Sequence, residues 1–274
     1  RIHLLEATVS TTLVSSDSSF VAPQAIDSGF VLERVLRILG AFTNDRIRLK
    51  VPEIVEITGL PRATIYRLTA QMEAAGLLER DGAAMSLGLR LFEIGQLVPS
   101  ISQLRSCAQP YLEDLREETQ NTVHLAIPAG IEVIYVGKLA GHAGPTLSTR
   151  VGGRMPAYCT GIGKALLAYQ PDSVVRDVIT AGMRRRTPYS ICTPGHLFRE
   201  LARVRATGLA YEREESQIGV ICVAAPIIFD NAANAAISIS GWTSRFEIKR
   251  ISAAVKATAK AISEKVRITQ YIEY

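Results

Sequence analysis

Residues 52–75 read PEIVEITGLPRATIYRLTAQMEAA, and this stretch decides the first part of the fold. Pro52 opens a helix well, since the N–H it lacks would be unpaired there anyway. Ile54, Val55 and Ile57 give that helix an apolar side, and Gly59 stops it. Leu60–Pro61 makes a tight turn. A second helix follows over about Arg62–Ala75 and ends before Gly76. On it Ile65, Leu68 and Met72 recur at spacings of three and four, which marks a core stripe. The opposite side presents Arg62, Ala63, Tyr66, Arg67 and Ala70, with Thr64 and Gln71 on its flank. This face is flat, polar and free of acid through residue 72. Two helices joined by a short glycine turn are a helix-turn-helix pattern. Alanines permit close approach to a groove, and Arg and Gln have the donor geometry for bases or phosphates. The helix N-terminus adds amides that suit a phosphate. A three-helix bundle for protein contacts would carry the same periodicity, so the pattern alone leaves both readings open.

Upstream, Val31, Leu32, Val35, Leu36, Leu39 and Phe42 predict a further helix, with Ser28 as its cap. Downstream, Leu77–Leu87 reads as strand, turn and strand around Asp81-Gly82, which would make the motif winged. The wing lacks base: Ala83 and Ala84 stand where Lys or Arg would serve DNA. Val51 before Pro52 is a poor cap. From Gly88 to about Thr119 the period is again helical, with Leu91, Ile94, Leu97, Val98, Ile101 and Leu104 forming a seam. Pro99 and Pro110 should break or kink it. Such a connector suits dimerisation; packing against its own chain is the other reading.

Beyond residue 120 the period changes. Strands are expected at Thr122–Ile127 and Ile131–Lys138, joined around Pro128-Ala129-Gly130, with a short third at Thr146–Thr149. Helices follow at Gly161–Tyr169, Asp172–Ala181 and His196–Ala206. Strands return at Leu209–Glu214, Val220–Phe229 and Ala235–Gly241, and Arg245–Val266 closes the pattern as a helix. This order predicts an α+β architecture with an antiparallel sheet. The expected division is an N-terminal arm (1–27), a winged helix-turn-helix (28–90), a linker helix (91–119) and a second domain (120–274).

Composition bounds the rest. The chain has 274 residues, 47% hydrophobic, with 31 Lys+Arg against 26 Asp+Glu and a formal charge of +5. A disordered chain is excluded, and two domains are the default at this length. The mild basic balance is compatible with nucleic acid without demanding it. No uncharged apolar run reaches a membrane span, so no membrane partner is expected. Four cysteines without paired spacing point to a reducing, cytoplasmic setting. Residues 1–27, rich in Ser, Thr and Val, read as a flexible arm or a start foreign to the protein, with no secretory signature.

The collinear motifs resemble the IclR family of bacterial transcriptional regulators. The match runs from about Ser28 to Val266. GLPRATIYRL (59–68) is similar to the family's turn and recognition helix. RVGGRMPAYCTGIGKALLA (150–168) is similar to the mouth of its effector pocket. GVICVAAP (219–226) and AAISISG (235–241) are similar to the later pocket strands. The resemblance implies a winged-helix head, a dimerising linker helix and a GAF-like effector domain. It implies a homodimer or dimer of dimers on a double-stranded operator, RNA polymerase as a further partner, and control by a small organic acid. It also implies a regulator rather than an enzyme.

The pocket residues have their own chemistry. Thr160 can cap a helix whose first amides, at Gly161 and Ile162, would suit a carboxylate. Ser238 and Ser240, two apart on a strand, project from one face. Cys222 and Glu212 lie on neighbouring strands. By resemblance Gly161, Ile162, Glu212, Cys222, Ser238 and Ser240 fall on ligand-contacting positions, and Tyr158 and Thr160 are expected to line the same effector site. Read alone, the serines could face the surface, Cys222 could be an inert buried thiol and Glu212 a solvated acid. Tyr158 stands where many members carry His, and resembles the branch governing catabolism of aromatic acids such as protocatechuate or p-hydroxybenzoate. An Arg common just before the Cys is absent from Gln217-Ile218-Gly219-Val220.

Other signals fail. Gly161-Ile162-Gly163-Lys164 lacks the leading Gly and the Ser or Thr of a phosphate loop. His3, His124, His142 and His196 have no metal-ligand spacing, so neither metal nor cofactor is expected. His124 reads as a satisfied core or surface histidine. Arg184-Arg185-Arg186 reads as a solvated loop, with DNA or a partner protomer as the other reading. Arg62, Ala63, Thr64, Tyr66, Arg67 and Gln71 are the expected operator contacts. The alternative function is a small-molecule enzyme or sensor with a vestigial helix-turn-helix, with Cys222 as its nucleophile and His124 as base. A protein-interaction adaptor is the third reading.

Overall fold

A computed structural model describes residues 30–229 and 232–272. Ser28 and the expected arm lie outside the described residues. The first helix, α1 (Val31–Gly40), starts after an extended Phe30. A two-residue strand β1 (Leu49–Lys50) leads into α2 (Val51–Thr58), which stops at a left-handed Gly59 with φ 66°. The helix therefore begins one residue before Pro52, and Lys50 rather than Val51 holds the cap position. The Lys50 amide donates to Glu53 Oε2 at 2.7 Å, so an acid on the first turn satisfies the cap residue's own amide. Helix α3 (Arg62–Ala74) follows.

The hairpin is β2 (Leu78–Asp81) and β3 (Ala84–Leu87). Its two loop residues are Gly82 and Ala83, one position later than expected, because Asp81 still pairs with Ala84. Gly82 supplies the positive φ, 59°, that the first loop position needs. β1 adds to the open side of β3, with Leu49 opposite Met85. Two residues are too short to show period-two alternation, so this third wing strand was illegible. Ile38, Ile54, Ile65, Leu68, Met72, Leu78 and Met85 form the buried core of this unit.

The connector divides at residues 97–98 into α4 (Leu89–Gln96) and α5 (Pro99–Thr119). Pro99 breaks the helix, as its spacing predicts. Pro110 does not: α5 runs through it. A mid-helix proline costs about 3 kcal/mol. Burying each of Leu104, Leu112 and Leu115 offsets it by ~1.5–3 kcal/mol. That face packs, with Cys107 and Ala108, in one core with the long terminal helix α9 (Ile248–Ile272). The connector over 91–119 is thus divided, as expected, but at Pro99 alone. Its second half packs against its own chain, while α4 buries none of its residues.

The sheet is antiparallel throughout, in the order β6-β5-β4-β9-β8-β7. Its strands are β4 (Thr122–Ala129), β5 (Glu132–Leu139), β6 (Arg154–Pro156), β7 (Ala210–Arg213), β8 (Val220–Phe229) and β9 (Ala232–Trp242). Two meanders are joined where β4 pairs β9. Alternation sorts the side chains. Val123, Leu125, Val223, Ala225, Ile237 and Ile239 pack towards α5 and α9. Ala126, Tyr135, Ala224 and Ala236 pack on the other face, with α6 (Gly161–Leu167), α7 (Asp172–Ala181) and α8 (Pro194–Thr207). Thr146–Thr149 is no strand. The Lys138 ammonium donates to the carbonyls of Leu147 and Thr149, so these groups are satisfied without a strand partner.

Candidate functional site: an exposed helix face and a polar cavity

On α3, Ile65, Leu68, Thr69 and Met72 are buried. Thr69 joins the stripe because its hydroxyl donates to the Ile65 carbonyl at 2.8 Å, which removes its need for water. Arg62, Ala63, Tyr66, Arg67, Ala70 and Gln71 are exposed and Thr64 is half-buried. Arg62 lies over the Tyr66 ring, 5.6 Å from its centroid, and donates to its hydroxyl at 3.3 Å. The expected face is therefore a continuous surface with Arg and Tyr already ordered against each other. The wing adds little free base: Arg80 pairs with Glu73 at 3.0 Å and Arg48 with Asp81 at 2.8 Å.

In the sheet, register brings the pocket candidates together. Glu212 lies opposite Cys222, and Cys222 opposite Ser240. One row along, Ala224 lies opposite Ser238, and Ser238 opposite His124. Both rows face α6. Thr160, Gly161, Ile162, Glu212, Cys222, Ser238 and Ser240 line one cavity, with about 550 Å³ of space free of protein atoms. Thr160 caps α6: its hydroxyl accepts from the Gly163 amide at 3.1 Å. Gly161 packs against Cys222; a Cβ there would lie 3.0 Å from the sulfur.

Tyr158 is not in this cavity. Its hydroxyl donates to the Arg184 carbonyl at 2.6 Å, and the residue lines a second hollow beside the arginine run. Tyr158 sits in a short 3-10 turn that points it away from the sheet rows. Lys164 also turns away. It is fully buried, bonded to Glu215 and 3.7 Å from Glu200. An ion cluster, not a phosphate, occupies its charge.

Sequence reasoning missed His124, Tyr135, Thr149, Arg186 and Ser216, which also line the cavity. His124 is buried, with its ring 5.0 Å from that of Tyr135, and shares a 2.8 Å hydrogen bond with Thr149 through Nε2. Its Nδ1 has no partner among the described residues. Burial, with Lys138 nearby, holds its pKa down to about 3. His124 shares the parity of Ala126 on β4, but only the non-local pairing with β9 reveals that it meets Ser238.

The electrostatics favour neutral groups. Burial raises Glu212 to about 7, although Ser216 donates to it through its amide at 3.0 Å and its hydroxyl at 3.3 Å. Burial raises the Cys222 thiol to about 12, and the Ser240 and Ser238 hydroxyls offset little of this. A thiol held protonated is a poor nucleophile. Its supposed base is hydrogen-bonded to Thr149 instead. The cavity can bind a polar molecule through hydroxyls, a carboxyl and an imidazole; it has no activated nucleophile. Among the described residues no His, Cys, Asp and Glu cluster could hold a metal ion.

Comparison with known proteins decides the family. The model of the IclR helix-turn-helix domain matches residues 31–82, and that of the bacterial transcriptional regulator IclR C-terminal region matches 97–264. The chain belongs to the IclR family. It is 30% identical over 220 residues to the HTH-type transcriptional regulator XynR of Escherichia coli K12, covering 79% of this chain and 87% of that one. It is 28% identical over 253 residues to the Pca regulon regulatory protein of Pseudomonas putida, covering 89% and 87%. The crystal structure of an IclR homologue from Microbacterium hydrocarbonoxydans complexed with 4-hydroxybenzoate matches with a TM-score of 0.82 at 26% identity, covering 86% and 99%. This IclR-family member is thus a DNA-binding transcriptional regulator and not an enzyme. No described helix is long and apolar enough to cross a membrane.

Proposed function

We propose that this regulator binds a double-stranded operator through α3 and that a small carboxylic acid in the sheet cavity sets its affinity or activity. The observation that carries the effector half is the clustering of Glu212, Cys222, Ser238 and Ser240 around one hollow by register alone. Arg62, Ala63, Thr64, Tyr66, Arg67 and Gln71 are the operator-facing residues, with the cavity-lining candidates named above as the effector's contacts. An aromatic acid fits best. The His124 and Tyr135 rings form one wall, and a homologue of this fold binds 4-hydroxybenzoate.

The working form is a homodimer, alone or paired into tetramers, acting in the cytoplasm with RNA polymerase. Leu89, Phe92, Ile94 and Leu97 on and beside α4 are exposed, an apolar surface of the kind that a second protomer covers. The domain reading is a DNA-binding head through β3, α4 as the inter-protomer connector, and α5 onward as the effector domain. A gel-shift titration on the DNA flanking the protein's own gene, at two salt concentrations, tests the DNA half. Specific binding that weakens with salt is expected; equal affinity for unrelated DNA would overturn it.

A further inference from the structure

The arginine run is built into the molecule. The Arg186 and Thr187 amides donate to the Ser190 hydroxyl at 3.0 and 2.9 Å, and that hydroxyl donates to the Glu215 carbonyl at 2.7 Å. The Thr187 hydroxyl donates to the Glu214 carbonyl at 2.6 Å. Tyr158 fixes the Arg184 carbonyl from the other side. The backbone is thus held on both flanks, while Arg184, Arg185 and Arg186 are exposed. Neither the Arg184 nor the Arg186 guanidinium has an ion pair among the described residues.

All three arginines line a second, wider and more open hollow. It shares two lining residues with the effector cavity, Arg186 and Ser216, so the two hollows meet there. The carboxylate at its edge, Glu132, is already answered by Arg154 at 3.3 Å. The deep cavity holds one cation among its lining residues, Arg186, against the buried acid Glu212. Like-sign charge along a concave wall concentrates ions of the opposite sign. A planar guanidinium at the inner end offers two parallel donors to a carboxylate.

We propose that the arginine hollow is the vestibule through which an anionic effector enters, and that Arg186 takes its carboxylate. This rests on the carboxylic-acid reading above and adds both the route and the charged partner. The vestibule supplies selection for anions, and the inner cavity supplies selection for shape.

The test titrates the full chain by calorimetry with 4-hydroxybenzoate, protocatechuate and pyruvate, and with the primary amide of each. Wild type, Arg186→Gln, Arg186→Lys and the double variant Arg184→Gln/Arg185→Gln are compared, with thermal melts to verify folding. For an acid that wild type binds, Arg186→Gln should weaken affinity ~10–100-fold, and Arg186→Lys should restore part of it. The amide should bind Arg186→Gln and wild type alike. Association and dissociation rates of the acid are read by surface plasmon resonance on the immobilised protein. The double variant should associate ~10-fold more slowly and lose the salt dependence of association, with dissociation unchanged. An acid that binds Arg186→Gln as tightly as wild type overturns this inference alone. If no acid binds wild type, the carboxylic-acid reading falls and takes this one with it.

Discussion

Arg67 and Glu212 carry the sharpest consequences at the residue scale. Arg67 is exposed on the α3 face that lacks acid. Arg67→Ala should cost ~1–3 kcal/mol of operator affinity if the guanidinium reads a base, or reduce the salt slope by about one if it holds a phosphate. Fluorescence anisotropy over a salt series separates these, and a variant that changes neither contradicts the assigned face. Glu212 bears on pH. Its carboxyl is raised from 4.5 to about 7 by burial, so the folded state keeps a proton that the unfolded chain releases. Its stabilising contribution is full below pH ~4.5 and is lost as pH rises through ~7, a difference of roughly 3 kcal/mol. His124, held down to about 3, acts oppositely, losing stability as pH falls below its ordinary value. Urea denaturation of Glu212→Gln against wild type isolates the first effect: the variant should gain relative stability between pH 4.5 and 7. Parallel profiles would show that Glu212 titrates normally. Gly161 and Gly163 differ in kind. A Cβ on Gly161 meets Cys222 Sγ at 3.0 Å, whereas one on Gly163 meets the Ala157 backbone at 2.4 Å. Gly163→Ala should therefore destabilise by ~3 kcal/mol or more and Gly161→Ala by ~1. Adding Cys222→Ala should relieve only Gly161→Ala, as thermal melts would show.

Elements were legible wherever local chemistry fixed them. α3 and α7 follow from period and glycine stops, and β8 from an uninterrupted apolar run flanked by Gly219. Other elements depend on partners distant in sequence. β1 exists because β3 offers an edge. Thr146–Thr149, β-branched enough to look like a strand, is claimed by the Lys138 ammonium. Pro110 fails to end α5 because the leucine face is anchored on α9. This last case predicts a gain: Pro110 is exposed within a continuous helix. Pro110→Ala should raise stability by ~1–3 kcal/mol in chemical denaturation, the helix gain less the freer unfolded chain. A loss would mean that α5 needs its proline for shape. The candidate cavity divides the same way. Its glycine, cysteine and serine members were legible from motifs, while His124, Tyr135 and Arg186 enter only through pairing and loop packing. Tyr158, grouped with the site by family resemblance, lies in a 3-10 segment and lines the neighbouring hollow.

At the scale of the whole molecule, the exposed face of α3 and a cavity in a six-stranded sheet flanked by five helices have to communicate. Regulation requires that occupancy of one change affinity at the other, and linkage makes this reciprocal. A ligand with equal affinity for both arrangements of the protein would shift nothing. Such regulation is a coupling free energy, measurable from either side. The most direct measurement is the dissociation constant of the bound acid, determined by calorimetry with and without saturating operator DNA. Coupling of the two sites should change it ~5-fold or more, matched by the same factor in operator affinity with and without acid. An acid that binds equally well to the free protein and to the protein–operator complex would contradict it.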